Sequence, residues 1–209
     1  MTRTVRESAE GLRKAETGNH LVLWYKTEEG RAKVIAQFLG PGVAGDSLIA
    51  IILPLRELRE TEKHLRRLRF PVDRLLEEGR LSLFASEELL PANPTDFSRI
   101  GSALKELRLR ADKQRRGLML VGRVAPLLFE RGECDEALVV EKEADSALGD
   151  AKLLCLYDTA AQRTARKEYV DEVNRIHDGT FNERDDRRIQ SAINRKGAAK
   201  RMRDARKGR

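Results

Sequence analysis

The pattern in this chain most capable of chemistry is the stretch Tyr25-Lys26-Thr27-Glu28-Glu29-Gly30-Arg31. It follows an apolar run, HLVLWY, and precedes apolar residues at helical spacing (Ala32, Ile35, Ala36, Leu39), so it reads as the junction between a strand and a helix. Open α/β sheets meet their ligands at such junctions. A phosphate-binding loop there needs several glycines, so that backbone amides can close on the phosphate, and a Lys-Ser/Thr pair opening the helix. This junction has one glycine, and it puts Glu28 and Glu29 where a phosphate would rest. It has the position of a nucleotide loop without the chemistry, and neither nucleotide hydrolysis nor a bound cofactor is expected.

Other residues stand at the ends of predicted strands. His20 opens the first strand, where it either lines a site or hydrogen-bonds backbone. Tyr25 and Tyr157 close two strands, as ligand-stacking rings or as caps on the core. Lys26 either holds an anion or is a solvated loop lysine. Thr27 is a candidate helix N-cap. Arg123 follows the fourth strand, as a ligand clamp or as the partner of a carboxylate such as Glu141. His20, Tyr25, Lys26, Thr27, Arg123 and Tyr157 form the candidate ligand-binding set. Cys155 lies within an apolar strand, which predicts a buried, inert thiol. His177 falls near a helix end, where a cation is favourable. No Ser-His-Asp, paired-carboxylate or metal-ligand spacing stands out, so no catalytic or metal residue is assigned.

These positions require a repeating framework. Apolar runs at His20–Tyr25, Leu48–Leu53, Leu81–Ala85, Leu118–Gly122 and Leu153–Tyr157 read as five strands. They are apolar throughout rather than alternating, which fits burial on both faces. Between them lie helical periods: one stopped by Gly40-Pro41-Gly42, one over Leu55 to Arg69, and a further turn or two over Val72–Gly79. Another is capped by Asp96 and carries Phe97, Ile100, Leu104, Leu107 and Ala111. A short one or a turn covers Arg123–Arg131, one follows over Glu133–Leu148 with Ala137, Leu138, Glu141, Ala144 and Leu148 along one side, and a polar one runs from Ala160 to His177. The fold expected is α/β, three-layer, with a mostly parallel sheet of about five strands and helices on both faces. Residues 1–18 are expected to form a polar helix (Val5, Ala9, Leu12), 19–180 the α/β domain, and 181–209 a basic tail.

The charge is unevenly placed. The 209-residue chain carries a net +7. The stretch Arg195–Arg209 alone holds eight Lys or Arg against Asp204, a balance of +7 equal to that of the whole chain. Arg195, Lys196, Lys200, Arg201, Arg203, Arg206 and Lys207 suit phosphate-backbone contact with a nucleic acid or another polyanion; the alternative is a solubilising end. The absence of interleaved aromatics argues against base stacking. Two cysteines far apart, no apolar run near the roughly 20 residues that span a bilayer, and no signal-peptide core point to a cytoplasmic protein without membrane contact.

The ordered set of motifs resembles the MEDS domain, the methanogen/methylotroph sensory domain found in a regulator of dichloromethane metabolism. The His-apolar-Tyr-Lys-Thr-Glu-Glu start, the helix ending Phe-Leu, GRLSLF, GLMLVGRVAPLLFERG, VVEKEADSALGDAKLLCLYD and VDEVNRIHDGTF carry the likeness over roughly residues 15–181. It implies a RecA/KaiC-like fold that has lost its nucleotide loop and senses a small organic compound. The chain departs at Gly122-Arg123, where many members carry Gly-Glu or Gly-Asn. The leading expectation is a non-enzymatic sensory module that binds a small organic ligand at the carboxyl edge of the sheet and signals through a partner protein or the basic tail. The alternatives are a nucleic-acid-associated protein using the tail, and a nucleotide-dependent enzyme with an unorthodox loop.

Overall fold

The computed structural model describes residues 20–90 and 98–183. The N-terminal helix expected over 1–18, the Asp96 cap and the basic residues from Arg195 onward lie outside them.

Six strands form one sheet: β1 (His20–Tyr25), β2 (Leu48–Leu53), β3 (Leu81–Ala85), β4 (Leu118–Gly122), β5 (Lys152–Asp158) and β6 (Gly179–Asn182), in the order β3-β2-β4-β5-β1-β6. Every neighbouring pair is parallel. Parallel strands need crossovers, and helices supply them. These are α1 (Glu28–Ala44), α2 (Leu55–Arg67), α3 (Val72–Glu77), α4 (Ser98–Lys113), α5 (Val124–Glu130), α6 (Cys134–Leu148), α7 (Thr159–Thr164) and α8 (Lys167–Ile176).

Strand residues alternate between two cores. Leu21, Leu23, Ile49, Ile51, Met119, Val121, Leu154 and Leu156 pack against α1 to α3. Val22, Trp24, Ala50, Ile52, Leu120, Leu153, Cys155 and Tyr157 pack against α4 to α8. With each face buried, neither parity can be polar, which is why the runs are continuously apolar. The result is three layers: helix, sheet, helix.

Three expectations need correction. The sheet has six strands, not about five. The sixth, GTFN, pairs with β1 from Leu21 to Trp24. Gly40-Pro41-Gly42 does not end α1, which runs on to Ala44 with Pro41 inside it. Pro41 removes one amide donor, but Gly42 is buried against Met119 and the Gly45 N–H closes on the Pro41 carbonyl at 2.8 Å. The polar helix expected over Ala160–His177 is two helices. Asp158 caps the first through the Ala160 N–H at 2.6 Å. Ala165 and Arg166 then turn extended, and α8 lays Val170 and Val173 onto the core.

Candidate functional site

The six candidate ligand residues fall into two groups. Tyr25, Lys26, Thr27 and Arg123 stand at the carboxyl edge of the sheet. His20 and Tyr157 belong to a buried cluster under α6.

At the edge, Thr27 caps α1, its hydroxyl accepting from the Gly30 N–H at 3.0 Å. Glu183, just past β6, lays its carboxylate on the same turn. It accepts the N–H groups of Lys26 (2.8 Å) and Thr27 (2.9 Å) and the Thr27 hydroxyl (3.2 Å). A Cβ at Gly30 would come within 2.5 Å of that carboxylate, so this glycine makes room for it. The Lys26 side chain is exposed. Behind the turn, the guanidinium groups of Arg31 and Arg123 stand 5.1 and 5.5 Å from the centre of the Tyr25 ring. Arg31 also donates to the Tyr25 hydroxyl (3.3 Å) and Thr61 (3.3 Å), and pairs with Glu57. Arg123, only 5% exposed, pairs with Glu57 and Glu130. The carboxylates facing Arg123 are thus these two, and not Glu141, which points into the other cluster. Two arginines and two glutamates make a charge-balanced set.

The second group is built from four separate elements. His20 opens β1, Cys155 and Tyr157 lie on the same face of β5, Glu141 sits on the buried side of α6, and His177 follows α8. The Tyr157 hydroxyl donates to Glu141 Oε1 at 2.7 Å. The other carboxylate oxygen, Oε2, receives three neighbours: His20 Nε2 at 3.1 Å, Cys155 Sγ at 3.2 Å and His177 Nε2 at 3.6 Å. His20 Nε2 and Cys155 Sγ are 3.4 Å apart, and the two imidazole rings lie 4.1 Å apart. His177 holds its Nδ1 against the Val173 carbonyl at 2.7 Å, capping α8. Its Nε2 is fully buried and makes no hydrogen bond. The His20 backbone N–H donates to Asp178 at 3.0 Å, while its imidazole faces Glu141 and not the backbone.

Electrostatics keep this cluster polarised. Burial pushes the Glu141 carboxyl up, but His177, His20 and the Tyr157 hydroxyl together outweigh it and hold the group well below the usual carboxylate range. Burial lowers the His20 pKa, while Glu141 and Asp145 raise it to a net value above the ordinary one. Burial dominates at His177 and leaves its pKa lowered. Burial, then Glu141, push the Cys155 thiol and the Tyr157 hydroxyl upward. Among the described residues, no Lys or Arg pairs with Glu141.

A small cavity of about 40 Å³ adjoins the cluster. Ile52, Leu104, Val140, Ala144 and Leu153 give it apolar walls, Gly122 lies at its β4 end, and Glu141 and Cys155 also line it, though the surface it presents is almost wholly apolar. Such a volume holds about three water-sized groups. A larger cavity of about 220 Å³ lies by the amino ends of β1 and β4 and the end of α1, between Leu21, Phe38, Pro41, Met119 and Phe181. It is the roomier of the two, but its titratable lining groups, Asp150 and Lys152, are exposed and half-buried and Asp150 already pairs with Arg108 at 2.8 Å, so the smaller one, beside a fully buried cluster, is the better candidate.

His20 and Tyr157 were legible as strand-end residues, whereas the central role of Glu141 was not. The signal for it was a carboxylate in the apolar stripe of α6, beside Ala137 and Ala144. A buried acid in such a stripe needs partners. Cys155 and His177 had the same kind of signal, but nothing in their spacing joins them to His20.

Among the described residues no helix is long and apolar enough to cross a membrane. No curated protein matches the chain. Its fold is similar to that of an uncharacterised protein from Pyrococcus horikoshii crystallised in complex with an unknown peptide (TM-score 0.56, 16% identity, covering 79% of this chain and 77% of that one). The family model of the methanogen/methylotroph, DcmR sensory domain matches residues 19–178. That span takes in β1 to β5, ends just before β6 and holds every residue of the Glu141 cluster, so the chain belongs to the MEDS family of sensory domains.

Proposed function

We propose that this MEDS domain is a non-enzymatic sensory module whose ligand is a small organic molecule held in the cavity beside Glu141 and Cys155. One observation carries this: a small apolar cavity with a carboxylate and a thiol in its wall, beneath helices that a ligand could shift. Apolar walls with a few polar groups are the common design of small-ligand sites. Of the residues named from sequence, His20 and Tyr157 contribute by positioning Glu141. Tyr25, Lys26, Thr27 and Arg123 frame the carboxyl edge of the sheet.

The same proposal takes the fold as RecA/KaiC-like with a degenerate nucleotide loop. In its support, β1 lies inside an all-parallel sheet, between β5 and β6, and the β1–α1 turn has a single glycine. The amides that a phosphate would need are donated to Glu183. A cytosolic setting and a signal passed to a partner protein, in transcription regulation or another response, complete the proposal.

The test is a thermal melt of the full chain with one- to three-carbon alcohols, amines and halomethanes. A ligand at about 100 times its Kd adds about 2.7 kcal/mol. Gly122→Ala is the matching variant, since its Cβ would meet only Leu153 Cδ1, at 3.6 Å, and would fill part of the cavity. A raised Tm in the wild type that is lost in Gly122→Ala supports the site. A flat wild-type response across the whole panel contradicts it. ATP, ADP and GTP are expected to leave Tm unchanged, which is the outcome that sets aside a nucleotide-dependent enzyme.

A second reading rests on the charge of Arg195–Arg209. As a nucleic-acid arm it would bind DNA or RNA with strong salt dependence. Equal binding by the full chain and by a chain ending at Arg188 would dismiss it.

A further inference from the structure

Four potential metal ligands from four elements converge in the buried cluster. The donor atoms of His20, Glu141, Cys155 and His177 all lie within 4.8 Å of one another. Zinc takes N and O ligands at about 2.0–2.2 Å and thiolate at about 2.3 Å, so the edges of its tetrahedron run about 3.3–3.8 Å. Four of the six edges are 3.1, 3.2, 3.4 and 3.6 Å, close to those values, and the two that join His177 to His20 and to Cys155 lie within 4.8 Å.

The orientation of each donor fits the same purpose. The Val173 carbonyl takes the Nδ1–H of His177, which leaves the Nε2 lone pair facing inward with no partner. Tyr157 occupies Glu141 Oε1 and leaves Oε2 for the centre. Asp145 Oδ1 stands 3.3 Å from His20 Nδ1, near enough for the carboxylate–histidine pairing common at metal sites, although His20 Nδ1 makes no hydrogen bond here. Asp145 is 57% exposed and gives a cation an acidic approach from solvent.

We propose that His20, Glu141, Cys155 and His177 form a four-coordinate site for a divalent first-row transition metal, with Zn(II) the ion that two imidazoles, a carboxylate and a thiolate suit best. The ion binds the Nε2 of each histidine, Glu141 Oε2 and Cys155 Sγ. The thiol proton, and any proton shared between His20 and Glu141, leave to solvent as it binds. The site stands on its own geometry and does not depend on the sensory proposal, because its test uses no organic ligand.

The experiment treats the full chain with a chelator, exchanges it into metal-free buffer, and titrates it with Co(II) and Zn(II), followed by absorbance and calorimetry. One ion per chain is expected. Co(II) should give the visible bands of tetrahedral cobalt and a near-ultraviolet thiolate-to-cobalt band, both displaced by Zn(II). Cys155→Ser should lose the thiolate band, and His177→Gln should weaken binding by more than about ten-fold. Cys134→Ser should keep both. Circular dichroism on each variant separates loss of metal from loss of fold, and Glu141→Gln, which keeps the side-chain shape, is the second route if a histidine or cysteine variant does not fold. Absence of binding, binding unchanged in both Cys155→Ser and His177→Gln, or binding abolished instead by His64→Gln in the group of exposed Glu28 with half-buried Glu60 and His64 would each overturn the proposal.

Discussion

Two sets of buried polar groups flank one sheet, and they are built on different principles. Around Tyr25, Arg31 and Arg123 face Glu57 and Glu130: two fixed positive charges against two negative ones, with Thr61 and the Tyr25 hydroxyl taking further donors. Around Glu141, among the described residues, there is a carboxylate with no fixed cation, two imidazoles each with a nitrogen that makes no hydrogen bond, a thiol and a small cavity. The first set is balanced in charge, although Arg31 Nε and Arg123 Nε make no hydrogen bond, and it joins α1, α2, β4 and α5 at the edge of the sheet. The second is open to an added group. Compensation marks an ion network that holds a fold, and incomplete compensation beside a cavity marks a place where something binds.

The largest expected effect lies in the frame that both sets share. Leu120→Asp puts a charge into β4 at a position 1% exposed, between Ala50 and Leu153. Burying an unpaired charge costs far more than a domain's stability margin. Loss of the cooperative melt by circular dichroism is expected, and a folded, cooperatively melting variant would refute the two-faced burial of the sheet.

Arg123→Ala is expected to cost roughly 2–4 kcal/mol, somewhat less than for breaking a fully buried pair because Glu57 is 20% and Glu130 25% exposed. Chemical denaturation measures it. A loss below about 0.5 kcal/mol would make Arg123 a free clamp rather than a structural partner.

Glu141→Gln sharpens the contrast. The amide can still accept the Tyr157 hydroxyl, so a loss of about 1–3 kcal/mol is expected, together with loss of the response to small organic ligands. An unchanged ligand response would separate the cavity from the cluster. Gly122→Ala should shift stability by no more than about 1 kcal/mol, since the new methyl meets only an ordinary contact. Lys26→Ala should be smallest, within about 0.5 kcal/mol, because only the backbone N–H of Lys26 is bonded, to Glu183.

Much of this architecture was legible in the residues. Continuous apolar runs gave β1, β2, β4 and β5, because a strand covered on both faces has no polar parity. β6 escaped because GTFN is four residues long with one large apolar side chain, Phe181, and only its pairing with β1 makes it a strand. Pro41 looked like a helix end because a proline usually is one, and the burial of Gly42 against Met119 that carries α1 past it is tertiary. The Glu141 cluster joins residues from position 20 to position 177, so no spacing could announce it. What the sequence did display was a single acid in the apolar stripe of α6. One reading of Arg123 made it the partner of a carboxylate such as Glu141. In space Arg123 turns toward Tyr25, while Glu141 faces β5.

The most direct measurement is methyl-labelled NMR of the full chain, titrated with the one- to three-carbon compound that most raises its Tm. Chemical-shift changes should be largest at the methyl groups of Val140, Leu104 and Leu153 around the small cavity, while Val34 and Leu58, on the other face of the sheet, stay still. Shifts centred on Val34, Leu21 and Leu154 at the larger cavity, or on Leu58 near the arginine network, would contradict the account.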